Sequence, residues 1–235
     1  MTTNNELGKY IVIEGADATG KSEQAMRISR RLQSIGKEVL FVMNDDSGLM
    51  EPIQEPGGVP TANELRKIIK NQSLPRDPWS NVMLFTAARR LNWLQAMEPA
   101  LDSGIWVVAA RSWISTMAYQ GYGEGVPLGD IMRRTREDVG VRYMNPDLEL
   151  IMTVADESMR KSLMEQRGPL ENPDTFESLP EEFQDNMKDG YVQFAKSKGT
   201  PLLRVNVWPN MTNVEIEASK QDVENRIWGH VATLL

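Results

Sequence analysis

The 235-residue sequence contains no cysteine and only one histidine, His230. The absence of cysteine excludes disulfides, a thiol nucleophile and thiolate zinc sites. A single histidine near the C-terminus argues against a histidine-based catalytic triad or a multi-histidine metal site. Any catalysis must therefore rest on arginine, lysine, aspartate and hydroxyl groups.

Long apolar runs are also missing. No stretch approaches the ~18 apolar residues of a membrane helix, and the first residues lack the basic and apolar regions of a signal peptide. We therefore expect a cytoplasmic protein with no membrane partner. The net charge of −7 argues against a broad basic face for nucleic acid. It remains compatible with a local basic pocket for a phosphorylated small molecule.

One glycine-rich octapeptide fits the phosphate-loop pattern G-x-x-x-x-G-K-[ST], namely Gly15, Ala16, Asp17, Ala18, Thr19, Gly20, Lys21 and Ser22. In such loops successive backbone N–H groups surround a phosphate, the lysine reaches the β and γ phosphates, and the hydroxyl binds Mg²⁺. The pattern also occurs by chance, which leaves a fortuitous glycine-rich turn as the alternative. Its context favours a nucleotide-binding loop, because a short apolar strand over Lys9–Glu14 precedes it and helical spacing follows over Ser22–Ile35.

The rest of the chain alternates between the two kinds of element. Further strands are predicted at 37–43, 105–110, 148–154 and 201–207, and helices at 61–71, 77–101, 127–143, 179–198 and 212–235. This alternation predicts an α/β fold with a five-stranded parallel sheet sandwiched by helices. Residues 1–235 are expected to form one domain, since no repeat or low-complexity segment divides them.

Candidate ligand contacts follow two of these elements. Arg89 lies four residues after Phe85 on one helix face, so the pair can offer a ring for stacking and a guanidinium fork. The neighbouring Arg90 is interpreted as a solvated surface charge. Arg111 stands at the carboxyl end of a predicted strand, where open α/β sheets place ligands, and it is followed by Ser115, Thr116, Tyr119 and Gln120.

The segment 159–177 is basic at first and then rich in turn residues. Arg160 and Arg167, roughly two helical turns apart, provide the cations that a segment closing over phosphates needs. We interpret the segment as a lid, and a plain surface loop is the alternative.

In this order the pieces closely resemble the thymidylate kinase family of P-loop nucleoside monophosphate kinases, particularly its bacterial branch. The resemblance covers nearly the whole chain and rests on the phosphate loop with Val12-Ile13-Glu14 before it, Glu55-Pro56-Gly57-Gly58, Leu84-Phe85-Thr86-Ala87-Ala88-Arg89, Arg111, Ala118-Tyr119-Gln120-Gly121 and Arg167-Gly168. It implies ATP- and Mg²⁺-dependent phosphorylation of dTMP to dTDP, usually in a homodimer.

The resemblance assigns phosphate-binding roles. Lys21 and the amides of the loop would hold ATP, and Ser22 would bind Mg²⁺. Arg111 matches the arginine on the acceptor phosphate, and Arg167, with Arg160, matches the lid cations over the transferring group. These groups suit phosphoryl transfer, which requires in-line positioning and neutralisation of charge rather than covalent catalysis.

The resemblance also assigns contacts to the nucleoside. Phe85 is similar to the residue that stacks on thymine, Arg89 to the guanidinium on its O4, and Thr116 or Ser115 to the hydroxyl that reads its ring edge. Asp17 matches the carboxylate that accepts the sugar 3′-OH. The ring that crowds the sugar 2′ position corresponds to Tyr119, and Gln120 belongs to the same substrate-binding motif.

The chain departs from the family pattern at four positions. Ala110 replaces the aspartate of the usual Asp-Arg pair, Gln54 the arginine before Glu-Pro-Gly-Gly, Thr175 the lid arginine, and Thr153 a strand aspartate. Such divergence suits a viral or otherwise specialised member. The loss at position 110 removes a carboxylate near the metal, for which Asp17, Glu14 or water are the candidate substitutes.

Two other functions stay open at this stage. The first is a kinase for another deoxynucleoside monophosphate, such as a modified pyrimidine nucleotide. The second is a catalytically impaired nucleotide-binding protein on the same fold, which the losses at Gln54, Ala110 and Thr175 motivate.

Overall fold

The structure, a computed structural model, describes residues 6–154, 176, 179–206 and 211–235. Its elements in chain order are β1 (Tyr10–Gly15), α1 (Lys21–Ser34), β2 (Val42–Asn44), β3 (Leu49–Glu51), β4 (Ile53–Gln54), α2 (Pro60–Lys70), α3 (Pro78–Asn92), α4 (Glu98–Asp102), β5 (Val107–Ala110), α5 (Trp113–Thr116), α6 (Leu128–Asp138), α7 (Val141–Met144), β6 (Leu148–Val154), α8 (Glu181–Lys198), β7 (Leu202–Val205) and α9 (Asn213–Val231). Two π-helical segments, Trp93–Met97 and Met117–Gly123, continue α3 and α5, and a 3₁₀ turn, Ala232–Leu234, follows α9.

Five strands form a parallel sheet in the order β4-β5-β1-β6-β7. The central strand is β1, in which Ile11 pairs with Val108 on one side and Leu148 on the other. Every residue of β1 is buried, as expected for a strand that is covered on both faces. The predicted five-stranded parallel sheet is confirmed.

Alternate residues of β1 enter two hydrophobic cores. Tyr10 and Val12 belong to a core that includes residues of α3, α4 and α8, whereas Ile11 and Ile13 belong to one that includes residues of α1 and α9. This division follows from the period of two in a strand, which sends successive side chains to opposite faces. Helices therefore cover both faces of the sheet.

The edge of the sheet differs from the prediction. The strand expected over residues 37–43 pairs with the sheet only around Val39, which forms a parallel bridge with Trp106. The chain then leaves the sheet as an antiparallel hairpin, β2–β3, and returns at Ile53, which pairs with Ala109. The turn-rich residues at 44–48 explain the departure, because they reverse the chain before the strand can continue.

The predicted helices are found with small changes at their ends. The helix expected over residues 77–101 is α3, its π-helical continuation and α4 in succession. The helix expected over 127–143 is interrupted at Gly140, whose φ of 122° lies outside the helical range. Among the described residues, no helix combines the length and the apolar character needed to cross a membrane.

Candidate active site

A cavity lies at the carboxyl ends of β1, β4 and β5, the edge where parallel sheets bind ligands. Ten of the predicted site residues line it: Asp17, Lys21, Ser22, Phe85, Arg89, Arg111, Ser115, Thr116, Tyr119 and Gln120. The other loop residues are not among the described residues of its lining: Gly15 ends β1, and Ala16, Ala18, Thr19 and Gly20 lie between β1 and α1. Arg160 and Arg167, with the predicted lid apart from Phe176, lie outside the described residues.

The loop between β1 and α1 has an unusual backbone. Gly15 adopts a φ of 142°, and a Cβ atom there would lie 2.3 Å from the carbonyl oxygen of Met152, so only glycine fits this position. Ala18 adopts a φ of 64°, a left-handed conformation that is strained for a residue with a side chain. The loop therefore holds a fixed, tightly curved path directly before α1.

Asp17 and Lys21 face each other inside this loop. The Lys21 ammonium donates to the Ala16 carbonyl oxygen over 3.0 Å and lies 3.4 Å from Asp17 Oδ1. Burial, and then the nearby charge of Arg111, lowers the pKa of Lys21 to about 8. Burial opposes the ionisation of Asp17, but the cations Arg111 and Lys21 outweigh it and hold the pKa of Asp17 well below its usual range.

Arg111 contacts both the phosphate loop and α5. Its φ of 71° lies in the left-handed region, and its backbone N–H donates to Ile13 O over 3.0 Å. The guanidinium donates to Asp17 through Nη2 and to Ser115 Oγ through Nη1, the latter over 3.2 Å. The Tyr119 hydroxyl also donates to Asp17, over 2.7 Å. Asp17 thus accepts from the arginine and the tyrosine at the same time.

Glu14 is fully buried at the end of β1 and accepts hydrogen bonds on both oxygens. Oε1 accepts from the N–H and hydroxyl of Ser112 and from the N–H of Ser115; Oε2 accepts from the hydroxyls of Ser115 and Tyr191 and from the N–H of Gly15. Its hydrogen-bonding capacity is used by the protein itself. Glu14 is therefore a poor candidate for the metal-binding carboxylate that Ala110 does not supply.

Arg89 is buried, with 1% of its surface exposed. Nε donates to Glu55 over 3.2 Å and to the Tyr143 hydroxyl over 3.0 Å, while Nη2 donates to Thr116 Oγ1 over 3.0 Å and to Ser112 O over 3.2 Å. A buried guanidinium needs such partners because an unpaired charge is costly to desolvate. Nη1 is buried without a hydrogen-bond partner within the described part of the chain. Arg89 is therefore an internal charge, whereas Arg90, predicted to be solvated, is exposed.

Aromatic rings form one side of the site. The ring centroid of Phe176 lies 5.9 Å from that of Phe85 and 5.8 Å from that of Tyr119, and Phe183 stacks on Phe176 at 6.4 Å. These separations are typical of packed aromatic pairs. Phe85 and Tyr119, which the sequence assigned to base and sugar, are thus joined through Phe176.

Two of the four departures from the family pattern lie on the cavity wall. Ala110 and Gln54 line it, but the Gln54 amide donates to Glu51 of the hairpin over 2.5 Å. A cation, Arg66 of α2, lines the same cavity and donates to Asp46 in the hairpin turn. The hairpin is thereby connected to two residues of the cavity wall.

Sequence reasoning missed several supporting residues. Glu55 stood in a recognised motif, but its pairing with Arg89 needs the fold to bring β4 beside α3. Tyr143 and Tyr191 carried no signal, since each lies on a helix distant in sequence from its partner. An acidic residue directly before the phosphate loop, Glu14, was the one signal available for the buried carboxylate.

A phosphate loop at the end of β1, cations around a cleft and a parallel sheet between helices define a P-loop nucleoside monophosphate kinase. Comparisons with known proteins give the family. The thymidylate kinase family model matches residues 13–217, and the chain belongs to this family of phosphotransferases.

Individual relatives agree with this membership. The thymidylate kinase of Burkholderia vietnamiensis is 34% identical over 189 residues, which cover 80% of this chain and 84% of the relative. That of Rhizorhabdus wittichii is 29% identical over 231 residues, covering 97% and 99%. The crystal structure of thymidylate kinase from Ehrlichia chaffeensis has the same fold, with a TM-score of 0.66 and 21% identity over 94% of this chain and 98% of that one.

Proposed function

We propose that the chain transfers the γ-phosphoryl group of ATP to dTMP and so forms dTDP. One observation carries the proposal: buried Arg89, held by Glu55, Tyr143 and Thr116, lines the same cavity as Lys21 of the phosphate loop. A fixed guanidinium with one buried nitrogen to spare suits an uncharged carbonyl oxygen, such as O4 of thymine. Family membership supports this substrate over another monophosphate.

The surroundings of Phe85 and Arg89 support a base site. Phe85 offers its ring for stacking, and Arg89 offers Nη1 to the base. Of the two candidate hydroxyls, Thr116 contacts Arg89, whereas Ser115 is engaged by Glu14, Tyr191 and Arg111. This difference favours Thr116 for the ring edge and gives Ser115 a role on the phosphate side. Gln120, fully buried in the lining, completes the wall.

Asp17 and Tyr119 suit the sugar. The ionised Asp17 can accept the 3′-OH, and the Tyr119 ring beside it would crowd a 2′-hydroxyl, which favours deoxyribose. Their hydrogen bond of 2.7 Å fixes the ring relative to the carboxylate. Both groups therefore select the acceptor rather than ATP.

Phosphoryl transfer would rest on positioned cations. Lys21 and the loop amides would hold the ATP phosphates, and Arg111 would hold the acceptor phosphate, so the two cations stand on either side of the transferred group. Arg167 and Arg160 of the predicted lid would add positive charge over it. No residue needs to form a covalent bond with the substrate.

The residues present fit Mg²⁺. Ser22 lines the cavity beside Lys21 and offers a hydroxyl oxygen, a ligand type that Mg²⁺ accepts together with phosphate oxygens and water. When bound, Mg²⁺ would neutralise charge on the phosphates. Because Glu14 is saturated and Asp17 is engaged by Arg111 and Tyr119, water is the substitute that best fits the ligand position lost with Ala110.

The same proposal includes a cytoplasmic homodimer, as the family resemblance implies. Exposed apolar side chains at Ile68, Met83 and Leu94, on α2, α3 and its continuation, supply a surface that a second copy can cover. Light scattering coupled to size exclusion tests the dimer. A monomer at micromolar concentration would contradict it.

A panel of monophosphates tests the reaction. Purified protein is incubated with ATP, Mg²⁺ and dTMP, dUMP, dCMP, dGMP or a 5-hydroxymethylated pyrimidine deoxynucleotide, and diphosphate formation is followed. We expect dTMP to be turned over fastest. Faster turnover of another monophosphate would overturn the substrate, and ATP binding without any transfer would instead indicate the impaired nucleotide-binding protein.

A further inference from the structure

We propose that Tyr191, on α8, is a positioning residue for Arg111 and acts through Ser115 and Glu14. The proposal rests on the proposed function, because it assumes that Arg111 holds the acceptor phosphate. Tyr191 itself is not in the cavity lining as described, and its exposed surface is 1%. It would affect the reaction only by fixing the groups that fix Arg111.

The contacts form a short chain from α8 to the guanidinium. The Tyr191 hydroxyl lies 2.9 Å from Ser115 Oγ and 3.3 Å from Glu14 Oε2. Ser115 Oγ lies 2.8 Å from Glu14 Oε2 and 3.2 Å from Arg111 Nη1. Ser115 is thus the only described residue between Tyr191 and Arg111 along this path.

The donors and acceptors give this chain a direction. An arginine can only donate, and each Glu14 oxygen already accepts from a backbone N–H group. Ser115 must therefore accept from Arg111, and its single hydroxyl proton goes to Glu14. Its other lone pair then faces the Tyr191 hydroxyl at 2.9 Å. Tyr191 shares its one proton between Ser115 Oγ and the more distant Glu14 Oε2 at 3.3 Å, and so restricts the rotation of the Ser115 hydroxyl.

Restricting Ser115 matters because of what substrate does to Arg111. Without substrate the guanidinium also donates to Asp17, but Asp17 is the proposed acceptor of the sugar 3′-OH and its carboxylate must then be shared. Ser115 would remain as the contact that substrate does not compete for. The backbone of Arg111 is already fixed by its N–H bond to Ile13 O, so the side chain is the part that needs support.

The packing of α8 explains how Tyr191 reaches the site. Gly190 precedes it, and a Cβ atom at this position would lie 2.7 Å from the Tyr122 ring and 3.1 Å from Ala118 Cα. Absence of a side chain there lets α8 lie directly against the Met117–Gly123 segment. The Tyr191 hydroxyl, which lies within 3.3 Å of Ser115 and Glu14, is therefore positioned by a helix rather than by a loop.

The test is Tyr191→Phe, which removes one hydroxyl and keeps the ring. We expect kcat to fall roughly 10-fold, as misplacement of a catalytic group predicts, with the KM for ATP unchanged. Tyr10→Phe is the matched control, because the Tyr10 hydroxyl is equally buried but has no hydrogen-bond partner in the described structure. It should leave kcat at the wild-type value, and thermal unfolding of both variants separates kinetic from folding effects.

A double-mutant cycle identifies the path. In a Ser115→Ala background, Tyr191→Phe should cause no further loss of kcat, because the intermediary is already missing. Additive losses would overturn the inference, and so would wild-type kcat in Tyr191→Phe.

Rates are measured with whichever monophosphate the wild type turns over, so a failure of dTMP as substrate contradicts the proposed function only. A crystal structure of Tyr191→Phe in which Arg111 still donates to Ser115 overturns the inference even if no monophosphate is turned over.

Discussion

At the scale of single residues, Arg89 shows how the fold fixes a buried charge. Glu55 balances its charge and three further groups fix its orientation, so the proposed contact with a base would need little reorganisation. Arg89 is therefore rigid, whereas the neighbouring Arg90 is exposed and donates to the Asp138 carbonyl oxygen. Adjacent arginines in the sequence serve different purposes in the fold.

This difference predicts the effects of lysine substitutions. Arg89→Lys keeps the charge beside Glu55 but cannot reproduce the fork, so kcat/KM for dTMP should fall roughly 10- to 100-fold, the value of one or two charged hydrogen bonds. Arg90→Lys is the matched control and should be unchanged. Steady-state kinetics with saturating ATP measures both, and equal effects at the two positions would contradict the assignment of Arg89.

Ala18 predicts a stabilising substitution. A left-handed φ costs an alanine about 1–2 kcal/mol, whereas glycine adopts it freely but loses roughly 0.5–1 kcal/mol more entropy on folding. Ala18→Gly should therefore raise the free energy of unfolding by about 0.5–1 kcal/mol, measured by urea titration. Ala16→Gly, in the same loop without a positive φ, should not stabilise. A destabilised Ala18→Gly would show that the strain is not relieved.

The depressed pKa of Asp17 predicts a pH dependence of stability. Since the folded pKa lies below the unfolded value of about 3.9, the contribution of Asp17 is fully present above that value and is lost as pH falls toward the folded pKa. Asp17→Asn should thus be less stable than wild type at pH 6, and the difference should shrink at pH 3. Urea unfolding at both values tests this, with exposed Asp45→Asn as the control. A difference that does not change with pH would contradict it.

At the scale of elements, the β2–β3 hairpin is connected to the cavity through α2. Two adjacent turn aspartates contact adjacent cations of that helix: Asp46 contacts Arg66, and Asp45 lies 3.8 Å from Lys67. Arg66 lines the cavity, and Lys67 is not among the described lining residues. The same turn therefore contains one contact to a residue of the described cavity wall and a matched contact to a residue outside it.

Asp46→Asn should raise the KM for dTMP about two- to fivefold and leave the KM for ATP unchanged. The expected change in KM is small because a partly exposed ion pair contributes little free energy. Loss of the pair would act on KM through the position of Arg66. Asp45→Asn should change neither constant. Initial-rate kinetics at varied dTMP and varied ATP measures the effects. Equal KM values for dTMP in the two variants would show that the hairpin does not influence the cavity.

Elements with a strong periodic signal were predicted correctly, and those without one were not. β1 and the helix after it were located by an apolar run and by helical spacing. β4 has only two residues, too few for any pattern, and it joins the sheet because β5 offers unpaired backbone groups. The hairpin was missed because its sequence carries a misleading pattern. Its apolar residues resemble those of a buried strand, but Met43, Leu49 and Met50 are exposed.

At the scale of the whole molecule, the cavity is built from segments that span most of the chain. Its residues in the phosphate loop, α1, α3 and α5 were predictable because each belongs to a recognisable motif. The partners that fix them, Glu55, Tyr143 and Tyr191, were not, because their roles depend on helix packing that a local pattern does not encode. The residues that line the cavity are thus easier to predict than most of those that position them.

Binding in such a cavity should stabilise the entire fold. A ligand at 100 times its Kd adds about 2.7 kcal/mol to the free energy of unfolding, which corresponds to a rise in Tm of roughly 5–10 °C for a domain of this size. We expect dTMP to give this rise in thermal unfolding, and dCMP at equal concentration to give a smaller one. The rise should be reduced in Arg89→Lys. Equal shifts with both nucleotides would contradict selectivity at the base.

The interrupted edge strand also bears on how such a chain can change over evolutionary time. Val39 pairs with Trp106 and Ile53 with Ala109, so a regular strand would need only two residues where the chain has residues 40–52. The hairpin leaves the sheet and re-enters it along the same line, and its removal would not alter the order of the strands. We therefore expect that such a chain can gain, lose or exchange this hairpin as a unit, and with it change the contacts of Gln54 and Arg66 in the cavity wall, without changing the phosphate loop.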